Sequence, residues 1–191
     1  MPREAFCYHL REFLHEEMGE HMNTSNNQKK LMVRGALLLA MAICFQGIRL
    51  LIPLPPVIGM FVIGSLVNVT LIVAVKYAGM MPALLMSCLL PIIAFFQGQL
   101  AVPIVVPVVA LGNIVLVLCC QQFWHKTLLW LAPLLKTAVL YVGTFFVLKC
   151  FVIPVPVAVM MLFVMSWPQV ITATIGLILA RQLMKKLPLV D

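Results

Sequence analysis

Leu31 to Ile52 reads LMVRGALLLAMAICFQGIRLLI, with its two charges, Arg34 and Arg49, toward the ends. A helix of about 20 predominantly apolar residues matches the hydrocarbon thickness of a bilayer. The stretch stops at Pro53-Leu54-Pro55-Pro56, where prolines remove backbone donors and cannot continue a helix. This is the pattern of a membrane-spanning helix, and the chain downstream repeats it.

A second span covers about Val57 to Val75 and stops at Lys76-Tyr77-Ala78-Gly79. A third, Met80 to Phe96, is short and contains Pro82 and Pro91. After the polar interruption Gln97-Gly98-Gln99, a fourth runs from about Ile104 to Cys120, with Pro103 and Pro107 near its start. Gln121-Gln122-Phe123-Trp124-His125-Lys126 leads to a fifth, about Leu128 to Phe151; Pro154-Val155-Pro156 turns it into a sixth, Val157 to Leu183. The expected fold is therefore an all-α integral membrane bundle of about six helices over residues 31–191. Ile52-Pro53-Leu54-Pro55 and Ile153-Pro154-Val155-Pro156 nearly repeat one another, a repeat too short to prove duplication.

Composition agrees with this pattern. Of 191 residues, 63% are hydrophobic and 10% charged, and the mean hydropathy is +1.10. A soluble domain is about half apolar and about a quarter charged, because it must face water. Such an excess of apolar residues suits lipid as the solvent.

Charge is distributed unevenly. The six acids, Glu4, Glu12, Glu16, Glu17, Glu20 and Asp191, lie at the ends, and the stretch between Met22 and Val190 holds eleven Lys or Arg and no acid. With an even number of spans, Lys29, Lys30, Arg34, Lys76, Lys126, Arg181, Lys185 and Lys186 share one side, against Arg49 and Lys149 on the other. The positive-inside bias then puts both termini in the cytoplasm of a multi-pass plasma-membrane protein. Basicity beside apolar spans points to lipid head groups rather than nucleic acid.

Residues 1–30 differ from the rest. Phe6, Leu10, Phe13, Leu14 and Met18 recur at helical spacing, which predicts a short amphipathic cytoplasmic helix over about 3–21. Asn23-Thr24-Ser25-Asn26-Asn27-Gln28 reads as a flexible linker. This polar beginning lacks the form of a cleaved signal, so the first span is expected to remain as an anchor. His9, His15 and His21 are spaced by six, which suits no compact metal site. Cys7, Cys44, Cys88, Cys119, Cys120 and Cys150 show neither metal-ligand spacing nor a disulfide framework, and five of them read as soft core residues.

Enzymatic and self-powered chemistry find little support. There is no P-loop, no His-Glu-x-x-His and no Gly-x-Ser-x-Gly, and no membrane carboxylate to relay protons. No catalytic residue, metal or cofactor is expected. Either solute passes downhill, or a partner supplies the energy.

The polar residues of the spans carry what signal there is. Lys136, about eight positions into the fifth span, has no carboxylate of the bundle to pair with. A charge at a helix centre costs about 2.5–3.5 kcal/mol on insertion scales. It either snorkels to the interface or faces a polar cavity. Asn68, Thr70, Asn113, Tyr141, Thr144, Trp167, Gln169, Thr172 and Thr174 also lie in spans, each able to make an interhelical hydrogen bond. Asn113 follows Gly112 partway down a helix entered from outside. Arg49 and Lys149 flank the outer mouth, and Gln97 and Gln99 lie on the loop that would close over a solute. These cations favour an anionic solute. In the first span, Gly35, Ala36, Ala40 and Ala42 place small residues where a second helix can approach closely.

The ensemble resembles the substrate-binding S components of energy-coupling factor (ECF) vitamin transporters. The resemblance spans residues 31–187 and rests on the basic lead into Arg34-Gly35-Ala36, Ala36-x-x-x-Ala40, the proline-rich turn after the first span, the short third span into Gln97-Gly98-Gln99, Pro107 to Gly112-Asn113, and the basic tail Arg181-Gln182-Leu183-Met184-Lys185-Lys186. It implies a non-enzymatic subunit that captures a small solute from outside and depends on a transmembrane coupling subunit and ATPase subunits. It implies partner contact at Ala36 and Ala40, and ligand contact at Arg49, Gln97, Asn113, Lys136, Tyr141, Trp167 and Gln169. A stand-alone facilitator or channel, and a membrane scaffold that binds no solute, are the alternatives. The acidic N-terminal helix departs from the family pattern, and so does the depth of Lys136.

Overall fold

The computed structural model describes residues 2–52, 55–100 and 102–186, with the backbone alone for 2–25 and Pro56. Seven α-helices follow in order: α1 (Pro2–Leu51), α2 (Pro56–Tyr77), α3 (Met80–Phe96), α4 (Val106–Phe123), α5 (Ala132–Cys150), α6 (Val155–Val164) and α7 (Trp167–Lys186). Short 3-10 turns, Pro103–Val105 and Thr127–Leu131, lead into α4 and α5. Among the described residues there is no β-strand.

Among the described residues, five segments are long and apolar enough to cross a membrane: Asn26–Leu51, Val57–Tyr77, Pro103–Phe123, Thr127–Cys150 and Val155–Lys186. The apolar helix Met80–Phe96 is shorter, at 17 residues. The protein is thus an all-helical molecule with the features of a multi-pass membrane protein.

Two boundaries differ from the sequence expectation. The expected linker, Asn23 to Gln28, is helical, and α1 runs unbroken through it. Each of its residues costs only a few tenths of a kcal/mol to about 0.7 kcal/mol in a helix, and a segment joining two helices pays no new nucleation cost. The side chains of the amphipathic pattern, the three N-terminal histidines, and Pro53, Leu54 and Asp191 lie outside the described residues. At the other end, the expected sixth span is divided at Met165-Ser166 into α6 and α7. Pro168 follows, and a proline there has no N–H for the carbonyl four residues back. Gln169 compensates, its Nε2 donating to that Val164 carbonyl at 3.2 Å, while Ser166 Oγ donates to the Phe163 carbonyl at 2.6 Å.

α2 is the hub. Thr70 to Val75 are buried without interruption, as expected of a helix surrounded by others. It touches α1, α3, α4 and α7. Contact with α7 is close because of Gly64 and Gly176: a Cβ at Gly176 would lie 2.6 Å from Asn68 Cβ and 3.2 Å from the Ser65 carbonyl oxygen. Gly35 likewise lets α1 close on Pro82 of α3. Its small neighbours Ala36 and Ala40 are exposed on another face of α1, while Ala42 is fully buried.

One end of the bundle is solid. Ile72, Val73, Leu116, Cys120, Leu129, Ala132, Leu177 and Ala180 pack there into a continuous core. Cations ring this end against aromatic or carbonyl partners. Lys76 lies 5.2 Å from the Trp124 ring, Arg181 lies 5.7 Å from Trp130, and Arg34 donates to the Tyr77 carbonyl at 3.4 Å. Such cation and aromatic pairs are typical of a membrane–water interface. Toward the other end the helices separate around a cavity.

Candidate functional site

α2, α4 and α5 each place one polar side chain at the same depth: Asn68, Asn113 and Lys136. Lys136 Nζ donates to Asn68 Oδ1 at 2.6 Å and to Asn113 Oδ1 at 2.9 Å. All three residues are at most 5% exposed. Lys136 therefore does not snorkel. The glycine beside Asn113 explains how α5 comes close enough, since a Cβ at Gly112 would lie 2.7 Å from Leu140 Cδ2.

This triad forms the floor of a cavity of about 320 Å³. From it the cavity extends along α2, α3 and α6 to Arg49, Val57 and Met160, which are exposed at the far end. The floor lies against the solid core, and the mouth lies beside the last turns of α1. The walls are mostly apolar: Val67 and Leu90 line them, and Ile63, Val109 and Leu140 lie about one helical turn nearer the mouth than the polar triad. Pro91 also lines it, and the carbonyl its ring leaves without a helical donor is tolerated beside a cavity.

Around the mouth lie Gln46, Arg49, Gln99 and Gln169. Gly98, at φ 70°, supplies the left-handed turn that caps α3, with Gln99 N–H returning to the Ala94 carbonyl at 2.9 Å. That turn aims Gln99 across the opening. Its Nε2 donates to the Gln46 backbone carbonyl at 3.0 Å and to Gln97 Oε1 at 2.8 Å. Gln46 Nε2 points to the Leu90 carbonyl at 3.4 Å, while its buried Oε1 has no partner. Gln169 Nε2 donates to the Val164 carbonyl at 3.2 Å, bracing the α6–α7 break.

No family model, curated protein or solved structure matches this chain. Its site is read from its own geometry.

Four of the seven ligand candidates, Arg49, Asn113, Lys136 and Gln169, line one cavity. Gln97 stands one step behind, holding Gln99. Tyr141 and Trp167 lie elsewhere. Tyr141 follows Lys136 by five residues, about 140° around the helix at 100° per residue, and is 44% exposed on the outer face. Trp167 precedes Gln169 by two residues and leans on Phe163 and Phe61, with ring centroids 5.7 and 6.0 Å away.

Asn68 and Gln46 complete the site without having been singled out as ligands by sequence. Asn68 had the same standing as any span amide, because no periodic pattern separates a cavity-facing amide from an interhelical one. Gln46 is the only side-chain amide in the first span, and that solitude was the available signal. No group of three or more His, Cys, Asp or Glu that could hold a metal occurs among the described residues.

Chemically, the cavity offers two cations, five side-chain amides and an apolar wall, with no acid and no paired nucleophile and base.

Proposed function

We propose that this protein is the solute-capturing subunit of a membrane importer, an S component of the ECF type. It crosses the plasma membrane six times with both termini in the cytoplasm and holds a small vitamin-like solute in the cavity above Lys136. The six crossings are the five long segments and the shorter α3. The observation that carries the reading is the floor: Lys136, Asn68 and Asn113 are at most 5% exposed and lie about one helical turn from the packed Ala132, Ile72 and Leu116. The two cations favour an anion. A pocket of this size lies at the small end of the range that holds organic ligands.

The ring of Lys76, Lys126, Arg181 and Arg34 at the solid end supports a cytoplasmic placement of that end, leaving the mouth outside. Exposed Ala36 and Ala40 support the expected approach of a coupling subunit on the outer side of α1, since small residues let a second helix come close without lipid between. The chain offers no nucleotide-binding motif, and ATPase partners supply the energy.

Reconstitution of the purified chain into liposomes tests this reading. Solute is bound but not moved in the absence of partners. Rapid flux through the chain alone would instead make it a facilitator or channel. Native mass spectrometry of the gently extracted protein gives the second measure: a co-purifying small molecule supports capture, and a bundle that never binds one is a scaffold.

A further inference from the structure

We infer that the solute held here is a monocarboxylate with an apolar body, and that it binds acid-first, with its carboxylate seated on Lys136, Asn68 and Asn113. The inference rests on the solute-capture reading and specifies the chemistry of that same cavity.

The floor is a cluster of donors. An ammonium has three N–H donors, and Lys136 spends two of them on amide oxygens. Because Asn68 and Asn113 each turn Oδ1 to the amine, each presents its NH2 group elsewhere. Neither amide nitrogen is among the enclosed polar atoms that lack a partner, whereas Gln46 Oε1, Ser65 Oγ and Thr144 Oγ1 are. The third ammonium donor and two amide groups thus remain for one guest. No acid occurs between Met22 and Val190, so no side chain of the bundle supplies Lys136 with a counter-charge, and an anionic solute would. A cationic solute would meet an ammonium with no counter-charge.

One buried cation matches one negative charge. A carboxylate brings a single charge and about four acceptor sites on two oxygens. A phosphate monoester brings about −1.5 to −2 and would leave excess negative charge in a low-dielectric site. Arg49 lies at the exposed mouth, and between it and the floor the cavity is lined by Ile63 and Leu90. That apolar sleeve fits a hydrocarbon or aromatic body above the acid.

The test uses the full-length protein in nanodiscs and a panel of benzoate and hexanoate, their primary amides, benzylamine and inorganic phosphate. Binding is read by calorimetry and native mass spectrometry. The carboxylates are expected to bind, with the matched amides weaker by roughly 30-fold or more, the scale for losing one partner of a buried charge pair. Benzylamine and phosphate are expected not to bind. Lys136→Met loses carboxylate binding by the same factor. Asn113→Asp does too, because it gives Lys136 an internal counter-ion; circular dichroism and gel filtration show that both variants are folded.

Amides binding as tightly as acids, carboxylates binding equally to Lys136→Met, or no carboxylate binding at all would each overturn the inference. If a co-purified solute survives Lys136→Met unchanged, capture stands and the acid-first pose falls. If the wild type carries no small molecule and binds none of the panel, the capture reading fails as well.

Discussion

Lys136 Nζ and Asn68 Oδ1 meet at 2.6 Å across 68 residues of sequence, joining α5 to the central helix α2 at the floor of the cavity. A hydrogen bond to a charged group contributes about 1.5–3 kcal/mol, and leaving a buried charge short of a partner costs more than replacing both groups. Asn68→Leu is therefore expected to lower the unfolding free energy by about 1.5–3 kcal/mol. The double variant with Lys136→Met costs less than the sum of the singles. A double-mutant cycle by chemical denaturation in micelles measures this coupling, and strictly additive costs would remove the bond from the energetics.

Helix spacing at α7 controls the same floor. Gly176→Ala places a Cβ 2.6 Å from Asn68 Cβ and 3.2 Å from backbone, so α7 has to back away from α2. Overpacking of this kind costs about 1–3 kcal/mol, and solute affinity falls with it because Asn68 moves. Gly47 has nothing within 4 Å of its would-be Cβ. Gly47→Ala is expected to be neutral or to stabilise by up to about 1 kcal/mol. Thermal unfolding of the pair, with solute titration, separates the two glycines.

Gln99 latches the turn after α3 to α1 through the Gln46 carbonyl at 3.0 Å. A neutral hydrogen bond contributes about 1 kcal/mol, equivalent to roughly a 5-fold change in a rate or constant. Gln99→Ala should speed solute release by about that factor, with little effect on the fold. Dissociation followed by rapid mixing reads it, and an unchanged rate would mean the latch does not control the mouth.

On α1 the two faces carry different loads. Ala36 and Ala40 are exposed while Gly35 and Ala42 are buried. Ala36→Trp with Ala40→Trp is expected to abolish partner-dependent uptake in cells while solute affinity of the isolated subunit stays within about 2-fold, or about 0.4 kcal/mol. Lost affinity would show that this face supports the bundle rather than a partner.

Orientation is tested by accessibility. In a cysteine-free background, Gln97→Cys should react with an impermeant maleimide added to intact cells. Lys126→Cys should react only after the membrane is opened. The reverse pattern would turn the molecule over and place the cavity mouth in the cytoplasm.

Much of the architecture was legible because lipid imposes simple rules. Runs of about 20 apolar residues ended by proline or a cation can be counted directly, and the starts of α2, α4 and α5 fall near Pro56, Pro107 and Pro133. Helix continuity was less legible. The polar run Asn23 to Gln28 looked like a linker by propensity, yet flanking helices carry it through. The break at Met165-Ser166 was hidden because apolar stretches flank Ser166-Trp167-Pro168-Gln169 on both sides and the apolar segment runs through them.

The sequence by itself determined that the bundle is apolar, where proline-marked spans begin, and that no acid is present from Met22 to Val190 to neutralise Lys136. Those are properties of composition and local order. Only the tertiary structure decided that Lys136 turns inward, and that Asn68 and Asn113 receive it while Tyr141 and Trp167 face away. The physical reason is that a membrane helix is apolar all round, so its pattern does not mark an inner face. That face is chosen by close approaches such as Gly112 on Leu140 and Gly176 on Asn68, which exist only once the helices have packed.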